Sequence, residues 1–428
     1  MNKFLQAQFT LAGIVLVAYL GNQWPHSYPR NDNHKPYMLW CWMAVLFVLS
    51  VYTLQHRSSS NLQLLNRPQT EEWKGWMQSM FILYHYYRVY SVYNWIRVFV
   101  SSYVWMTGFG NFLYFDKKHD YSIERMVSMW VRINYFPLLL SFCLGVPLEL
   151  YYVVPLHTTG FFLTLATCAF SKLVCMDRLG WSSVRSNAVA LAACGVVHVL
   201  FYETAASNLL KLFSDEYYFR FQSDKYTAWV GMLSGFGWSR LTTLVHWAHQ
   251  QAWRMWTQRA GGLLLIGLWF GLFGSITDKY IYNPFHPYVF WLPVAGYLLL
   301  RNSSPYLCEL HAHALEWLGQ ITLETYVLQF HVFMSHNVQH IPIVVPGSGP
   351  DGSLFLQTCN MVLCGILFVT MSYYARQATV TTQTCVIESI RHYRYGSPNN
   401  TSTNNELDMQ PLSRSDGNGG VQEVKHQV

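Results

Sequence analysis

Charge is what this sequence has least of. Only 12% of its 428 residues are Asp, Glu, Lys or Arg, against about 25% in an ordinary soluble domain. That excludes the solvated surface of a water-soluble enzyme. The net charge of +6 is spread over many short segments, so no nucleic-acid partner is expected. Nine cysteines are present, but they lie mostly in apolar runs and none forms a C-x-x-C pair. This excludes a disulfide framework and a cysteine zinc site, and no metal is expected. No Gly-rich phosphate loop, G-x-S-x-G elbow, H-E-x-x-H pair or haem spacing occurs, so the common soluble routes to phosphoryl, acyl and metal chemistry are missing. No permanently bound cofactor is expected.

What is there is apolar surface. Hydrophobic residues make up 52% of the chain and aromatic ones 17%. Runs of about 17–25 apolar residues, the length of a bilayer helix, recur along its whole length. The expected fold is an all-α integral membrane protein, a polytopic bundle of about twelve transmembrane helices. The spans fall near 5–21, 38–54, 76–92, 95–115, 126–146, 148–171, 187–204, 226–247, 261–282, 287–300, 318–335 and 354–375. Tyr, Trp, His and Asn are threaded through these runs, which points to a polar bundle interior. With the amino terminus cytosolic, Arg57, Arg67, Lys74, Lys117, Lys118, Arg125 and Arg301 join other basic residues on the cytosolic side, as the positive-inside rule requires. Both termini then face the cytosol, and the lipid bilayer is the first partner. The run Phe9 to Leu20 reads as an uncleaved signal anchor, since no clear small-residue cleavage site follows it. Residues 1–60 thus hold the anchor, a short lumenal loop and a second span. Residues 61–376 form the multi-span domain. Residues 377–428 form a polar cytosolic tail, disordered from Gly396 onward, whose Asn399 and Asn400 sequons stay unmodified, as does that at Asn302.

Titratable side chains inside such runs are costly and mark function by default. Lys74 and His85 are eleven residues apart, about three helical turns, and so share a face. On this topology Lys74 sits at the cytosolic mouth and His85 roughly 16 Å deeper. A cation at the mouth can hold a phosphate, and a neutral His deeper in can act as general base. Glu71 and Glu72 flank the entrance. Lys74 reads equally as a snorkelling anchor, and His85 as one end of an interhelical hydrogen bond. His157 follows Pro155, whose freed backbone carbonyl it could serve instead. Glu324 and His331 are seven apart, two turns on one face, and suit either a proton-handling lining or a pair that locks two helices. On the far side, Asp215 to Tyr226 mixes charge and aromatic rings, a surface suited to carbohydrate or to an interfacial helix. Its Arg220, Asp224 and Tyr226 are candidate substrate-binding residues, together with His286 in the turn Asn283 to Tyr288. The run Thr107-Gly-Phe-Gly110 permits close helix approach.

The stretches Leu65 to Gln78, Ile96 to Asn111, Tyr151 to His157, Tyr218 to Tyr226, Tyr282 to Tyr288, Arg301 to Ser303 and Trp317 to His331 resemble one family. It is the multi-span acyltransferase domain shared by plant reduced wall acetylation proteins, the fungal capsule O-acetylation protein and animal sialate O-acetyltransferase. The resemblance implies O-acetylation of glycans in the Golgi membrane, with acetyl-CoA as donor. Sialate and capsule-type members carry a lumenal serine-esterase-like domain between the first two spans. Here about sixteen residues, Asn22 to Tyr37, fill that gap without a Gly-Asp-Ser motif. The chain is therefore closer to the plant type, which implies transfer by the membrane domain itself or a separate lumenal O-acetyltransferase partner. The Lys74-x10-His85 spacing also looks like the Arg-x10-His signature of bacterial membrane O-acyltransferases, whose His is taken as catalytic. Lys in place of Arg cannot form a bidentate phosphate clamp.

The expected function is a membrane O-acetyltransferase that passes acetyl groups from cytosolic acetyl-CoA to a glycan or to a lumenal transferase. Arg67, Trp73 and Lys74 would meet acetyl-CoA. Glu72, Lys74, His85, His157, Glu324 and His331 would be the catalytic and path-lining set. Arg220, Asp224, Tyr226 and His286 would meet the acceptor glycan. Two other classes fit the same residues: a transporter that moves an acetyl donor without bond chemistry, and a scaffold that localises a lumenal enzyme.

Overall fold

The computed structural model describes residues 2–23, 29–57 and 63–395. The segments 24–28, 58–62 and 396–428, which include the expected disordered tail with the Asn399 and Asn400 sequons and part of the short lumenal loop, lie outside the described residues.

Each of the twelve apolar stretches is mostly helix, but those expected at 76–92, 261–282 and 318–335 are interrupted. Five helices are long and apolar enough to cross a membrane by length and composition: Asn2–Gln23, Ile123–Leu144, Val153–Met176, Ser183–Tyr202 and Leu354–Arg394. They sit at the periphery and leave apolar side chains such as Phe9, Phe142, Val196, Val197 and Phe355 exposed. Such continuous apolar surface is stable only against lipid. The inner helices fall short of the hydropathy of a span because their polar residues face one another. Tyr93–Lys118 buries Asn94, Arg97, Ser101, Ser102 and Asn111 among its aromatic rings.

Four segments depart from the expected spans. The stretch expected at 261–282 is a helix Ala252–Trp269, a wide turn over Phe270–Gly274 and, after non-helical residues 275–278, a short helix Lys279–Tyr282. The stretch expected at 76–92 is a helix from Arg67 to Tyr86. Asn66 starts it by accepting the Gln69 N–H at 3.0 Å, with Pro68 in the first turn. His85 therefore lies in the last turn of this helix, not in the middle of a longer span. The stretch at 318–335 is broken into His313–Gln320, Thr322–Leu328 and a wide turn over Gln329–Phe333. The helix expected to end at 375 runs on to Tyr395, through the first residues of the polar tail. Its Thr382 hydroxyl accepts from Gln8 at 2.8 Å and its Gln383 donates to Ser128 at 2.7 Å, so polar residues there are paid back by helix contacts.

The sheet structure among the described residues is a two-stranded antiparallel ribbon, Leu54–His56 against Leu310–Ala312, with Gln55 opposite His311. The core is centred on Arg67–Tyr86 and Tyr93–Lys118. The latter packs closely on the helix Thr227–His249, where a Cβ on Gly108 would lie 2.1 Å from the Ala228 carbonyl oxygen. Gly110 of the same T-G-F-G run meets nothing within 4 Å.

Candidate functional site

Two cavities open along the Arg67–Tyr86 helix, one toward each of its ends. The larger, about 850 Å³, is lined by His85, Tyr84, Arg97, Tyr152, Arg220 and Glu216, with Asn22 and the His336–Val338 loop at its side. The smaller, about 370 Å³, is lined by Lys74, Gln78, Tyr103, Thr107, Arg132 and His157. Phe81 is the one side chain common to both linings. It packs against Tyr326 at a centroid distance of 6.0 Å and edge-on against the His85 ring at 4.6 Å.

The helix thus brings Lys74 and His85 to one side, as their spacing requires, but into different chambers. Lys74 Nζ is 2.6 Å from the Glu71 carboxylate, and its backbone carbonyl accepts the Tyr103 hydroxyl at 2.7 Å. His85 Nδ1 is 3.3 Å from Gln329 Oε1. The Gln329 amide nitrogen donates to the Tyr326 carbonyl at 3.0 Å, so its oxygen is the atom turned to the ring. Nδ1 must then carry the proton, and Nε2 is left as a bare acceptor. Among the described residues Nε2 has no partner.

Hydrogen-bond accounting separates the histidines. His157 meets the Thr107 hydroxyl through Nδ1 at 2.5 Å, and its Nε2 has no partner among the described residues. His331 is 1% exposed, and both ring nitrogens are engaged. Nδ1 accepts from Asn22 at 3.0 Å, because the Asn22 oxygen is taken by the His336 N–H, and Nε2 meets the Tyr151 hydroxyl. His286 is likewise closed, between the Ser101 hydroxyl at 2.7 Å and the Tyr282 hydroxyl at 2.8 Å. A histidine with both nitrogens held is an anchor; one with a free nitrogen facing a cavity can move a proton.

The carboxylates divide in the same way. Glu324, with no exposure, is clamped by Arg132 at 2.6 and 3.4 Å and by the Thr379 hydroxyl at 3.3 Å. It and His331 lie on opposite sides of the break at Gln329 and do not meet. Asp224 is buried against Arg97 at 2.7 Å and the Ser101 hydroxyl at 2.5 Å, so it lies behind the cavity wall and not on it. Glu72 bridges Arg301 at 3.2 Å and accepts the Ala312 N–H at 2.7 Å, which ties the ribbon to the helix outside both linings. Trp73 is buried against Tyr297 at 4.4 Å, and Arg67 is exposed at the helix start. Tyr226 donates to Glu203 at 2.7 Å on the surface. Of the expected acceptor residues, Arg220 alone lines the large cavity.

Sequence reasoning missed Gln329, Thr107, Phe81 and Arg132. Gln329 and Thr107 were legible only as polar residues in apolar runs. It also passed over His311, His313 and Glu316, whose ligand atoms lie within 4.8 Å of one another. Glu316 bridges the two rings at 3.2 and 3.4 Å, one ligand short of a closed tetrahedral set.

No solved structure matches the chain. The zebrafish (Danio rerio) N-acetylneuraminate (7)9-O-acetyltransferase is 26% identical over 361 residues, covering 79% of this chain and 45% of that protein. The chain spans less than half the length of this relative. The family described as the 10 TM Acyl Transferase domain found in Cas1p matches residues 1–394. With a match over nearly the whole length, the chain belongs to this family of multi-pass membrane acyltransferases.

Proposed function

We propose that the chain is a membrane O-acetyltransferase that takes acetyl from acetyl-CoA and delivers it to a glycan hydroxyl, or to a lumenal transferase, in the Golgi membrane. The observation that carries this reading is the pair of cavities on either side of Phe81, with His85 on the larger and His157 on the smaller each keeping an Nε2 that has no partner among the described residues. The smaller chamber suits the acetyl and pantetheine end of the donor, with Lys74 and Arg67 toward the nucleotide. The larger chamber suits a sugar, and the relative's N-acetylneuraminate is one acceptor of that size. His85 Nε2 takes the proton of the acceptor hydroxyl as its oxygen attacks the acetyl carbonyl. The carbon–sulfur bond breaks and CoA leaves as thiolate. Gln329 holds the imidazole in the basic tautomer throughout. The thioester end of the donor reaches past Phe81 to the larger chamber, so acetyl stays on sulfur until the acceptor oxygen attacks it. The inner helices join the five apolar ones in crossing the bilayer, twelve crossings by the sequence and ten by the family description.

The test uses purified protein in sealed proteoliposomes, with acetyl-CoA outside carrying separate labels on acetyl and CoA. Acetyl is expected to enter while CoA stays outside, and His85→Ala is expected to abolish entry in a protein that still folds. Entry of both labels together would mean a transporter, and full activity of His85→Ala would remove the base from the mechanism.

A further inference from the structure

One cation in the larger chamber has its hydrogen bonds arranged for a ligand that the acetyl-transfer reading does not specify. Arg220 lies on the cavity lining. Its Nε donates to Glu216 at 2.6 Å, and its guanidinium carbon stands 4.0 Å from the centre of the Tyr152 ring. One edge bond and one stacked face fix the plane of the group. The two terminal nitrogens make no hydrogen bond among the described residues. They form the end-on fork, whose paired N–H groups match the two oxygens of a carboxylate. Arg97 lines the same chamber, is 1% exposed, and has Nε and Nη1 without a partner among the described residues while Nη2 holds Asp224. Two guanidinium groups with unused donors therefore border the chamber that contains His85. The carboxylates on the lining are Glu216, already committed to Arg220, and Glu149.

We propose that Arg220 holds a carboxylate of the acceptor, so that the acceptor of this chain is an acidic sugar anchored at Arg220 with a hydroxyl presented toward His85. The proposal rests on the larger chamber being the acceptor chamber. A preorganised fork contributes orientation as well as affinity, because the sugar is held at a point away from the reacting hydroxyl. Glu149 opposes the anion and sets an upper limit on affinity.

The experiment measures binding of N-acetylneuraminate and of its C1 methyl ester to the full chain in nanodiscs, by intrinsic tryptophan fluorescence. The ester differs in charge at one group and keeps the sugar. The acid is expected to bind about ten-fold more tightly than the ester, the size of one charge-assisted contact. Arg220→Lys, which keeps the charge and loses the fork, is expected to bring acid and ester within about two-fold of each other. Glu149→Gln is expected to tighten binding of the acid and leave the ester unchanged. Equal binding of acid and ester by the wild-type chain, or binding of neither, would overturn the proposal. Release of CoA from acetyl-CoA, followed on the same samples, reports separately on the acetyltransferase reading. Its absence counts against that reading whichever way the acid binds.

Discussion

Gly319 is the point where the helix His313–Gln320 rests on Arg67–Tyr86. A methyl group there would sit 1.8 Å from the Glu71 carbonyl oxygen and 2.6 Å from its carbon. The obstacle is backbone, so no side chain can turn aside, and the two helices would have to part by about 1 Å or more to reach ordinary contact. The opposing glycine is as tight: a Cβ on Gly75 would lie 2.0 Å from the Leu315 carbonyl oxygen. Separation would open the bond from the Ala312 N–H to Glu72 at 2.7 Å and loosen Trp73, 2% exposed. Overpacking costs about 1–3 kcal/mol, and the buried Ala312 N–H left without its acceptor adds about 1 kcal/mol. Gly319→Ala is therefore expected to destabilise the fold by about 2–4 kcal/mol. It should also lower acetyl transfer, since Gly319 and Lys74 line the same chamber. The assay is thermal unfolding in detergent followed by fluorescence-detected size exclusion. Gly110→Ala and Gly237→Ala serve as controls, because a Cβ at either meets nothing within 4 Å. The controls should match the parent or gain slightly, since Ala favours a helix over Gly by about 0.5–1 kcal/mol. A Gly319→Ala protein as stable as the Gly110→Ala control would refute the close-packing argument.

Two further outcomes follow from single hydrogen-bond networks, at Gln329 and at Glu203. Gln329→Leu removes the acceptor that fixes the His85 tautomer, a neutral bond of about 1 kcal/mol, and should lower kcat by about five- to ten-fold. His85→Ala removes the base and should cost about 10²–10⁴, so equal losses in the two variants would show that Gln329 does more than orient the ring. On the surface, Glu203 accepts from Lys225, Tyr226 and Tyr288, each at 2.7 Å. These bonds, led by that from Lys225, hold its carboxyl down at about 2. A lowered folded-state value means the contribution is complete above the ordinary carboxylate range and is lost as pH falls through that range toward 2. The stability gap between wild type and Glu203→Gln, about 1 kcal/mol or less after screening at this exposed site, should shrink between pH 5 and pH 3. A gap that does not change with pH would count against it.

Much of the fold was legible because membrane helices announce themselves by apolar length. Each of the twelve stretches is mostly helix, and the peripheral ones carry the exposed apolar faces that lipid must cover. The ends were not legible. The Arg67–Tyr86 helix begins nine residues before the expected span, because Asn66 and Pro68 start it within a polar stretch that hydropathy ignores. The break at Gln329 was hidden for the opposite reason. The residues on both sides are apolar, and the wide turn is closed by a local bond from the Met334 N–H to the Gln329 carbonyl at 3.0 Å, which hydropathy does not mark.

The site shows where a periodicity argument stops. Helical spacing correctly put Lys74 and His85 along one side of a helix, yet a helix side can pass two chambers, and Phe81 lies between the two residues. Spacing also paired Glu324 with His331, and the broken helix turned them to Arg132 and Tyr151 instead. What distinguishes a working histidine from an anchoring one is whether its second nitrogen is taken. His331 and His286 lose theirs to Tyr151 and Ser101, residues 180 and 185 positions away in sequence. No local pattern encodes a partner at that distance. The four histidines look alike in the sequence, and among the described residues only the packed bundle leaves His85 and His157 with a nitrogen to spare.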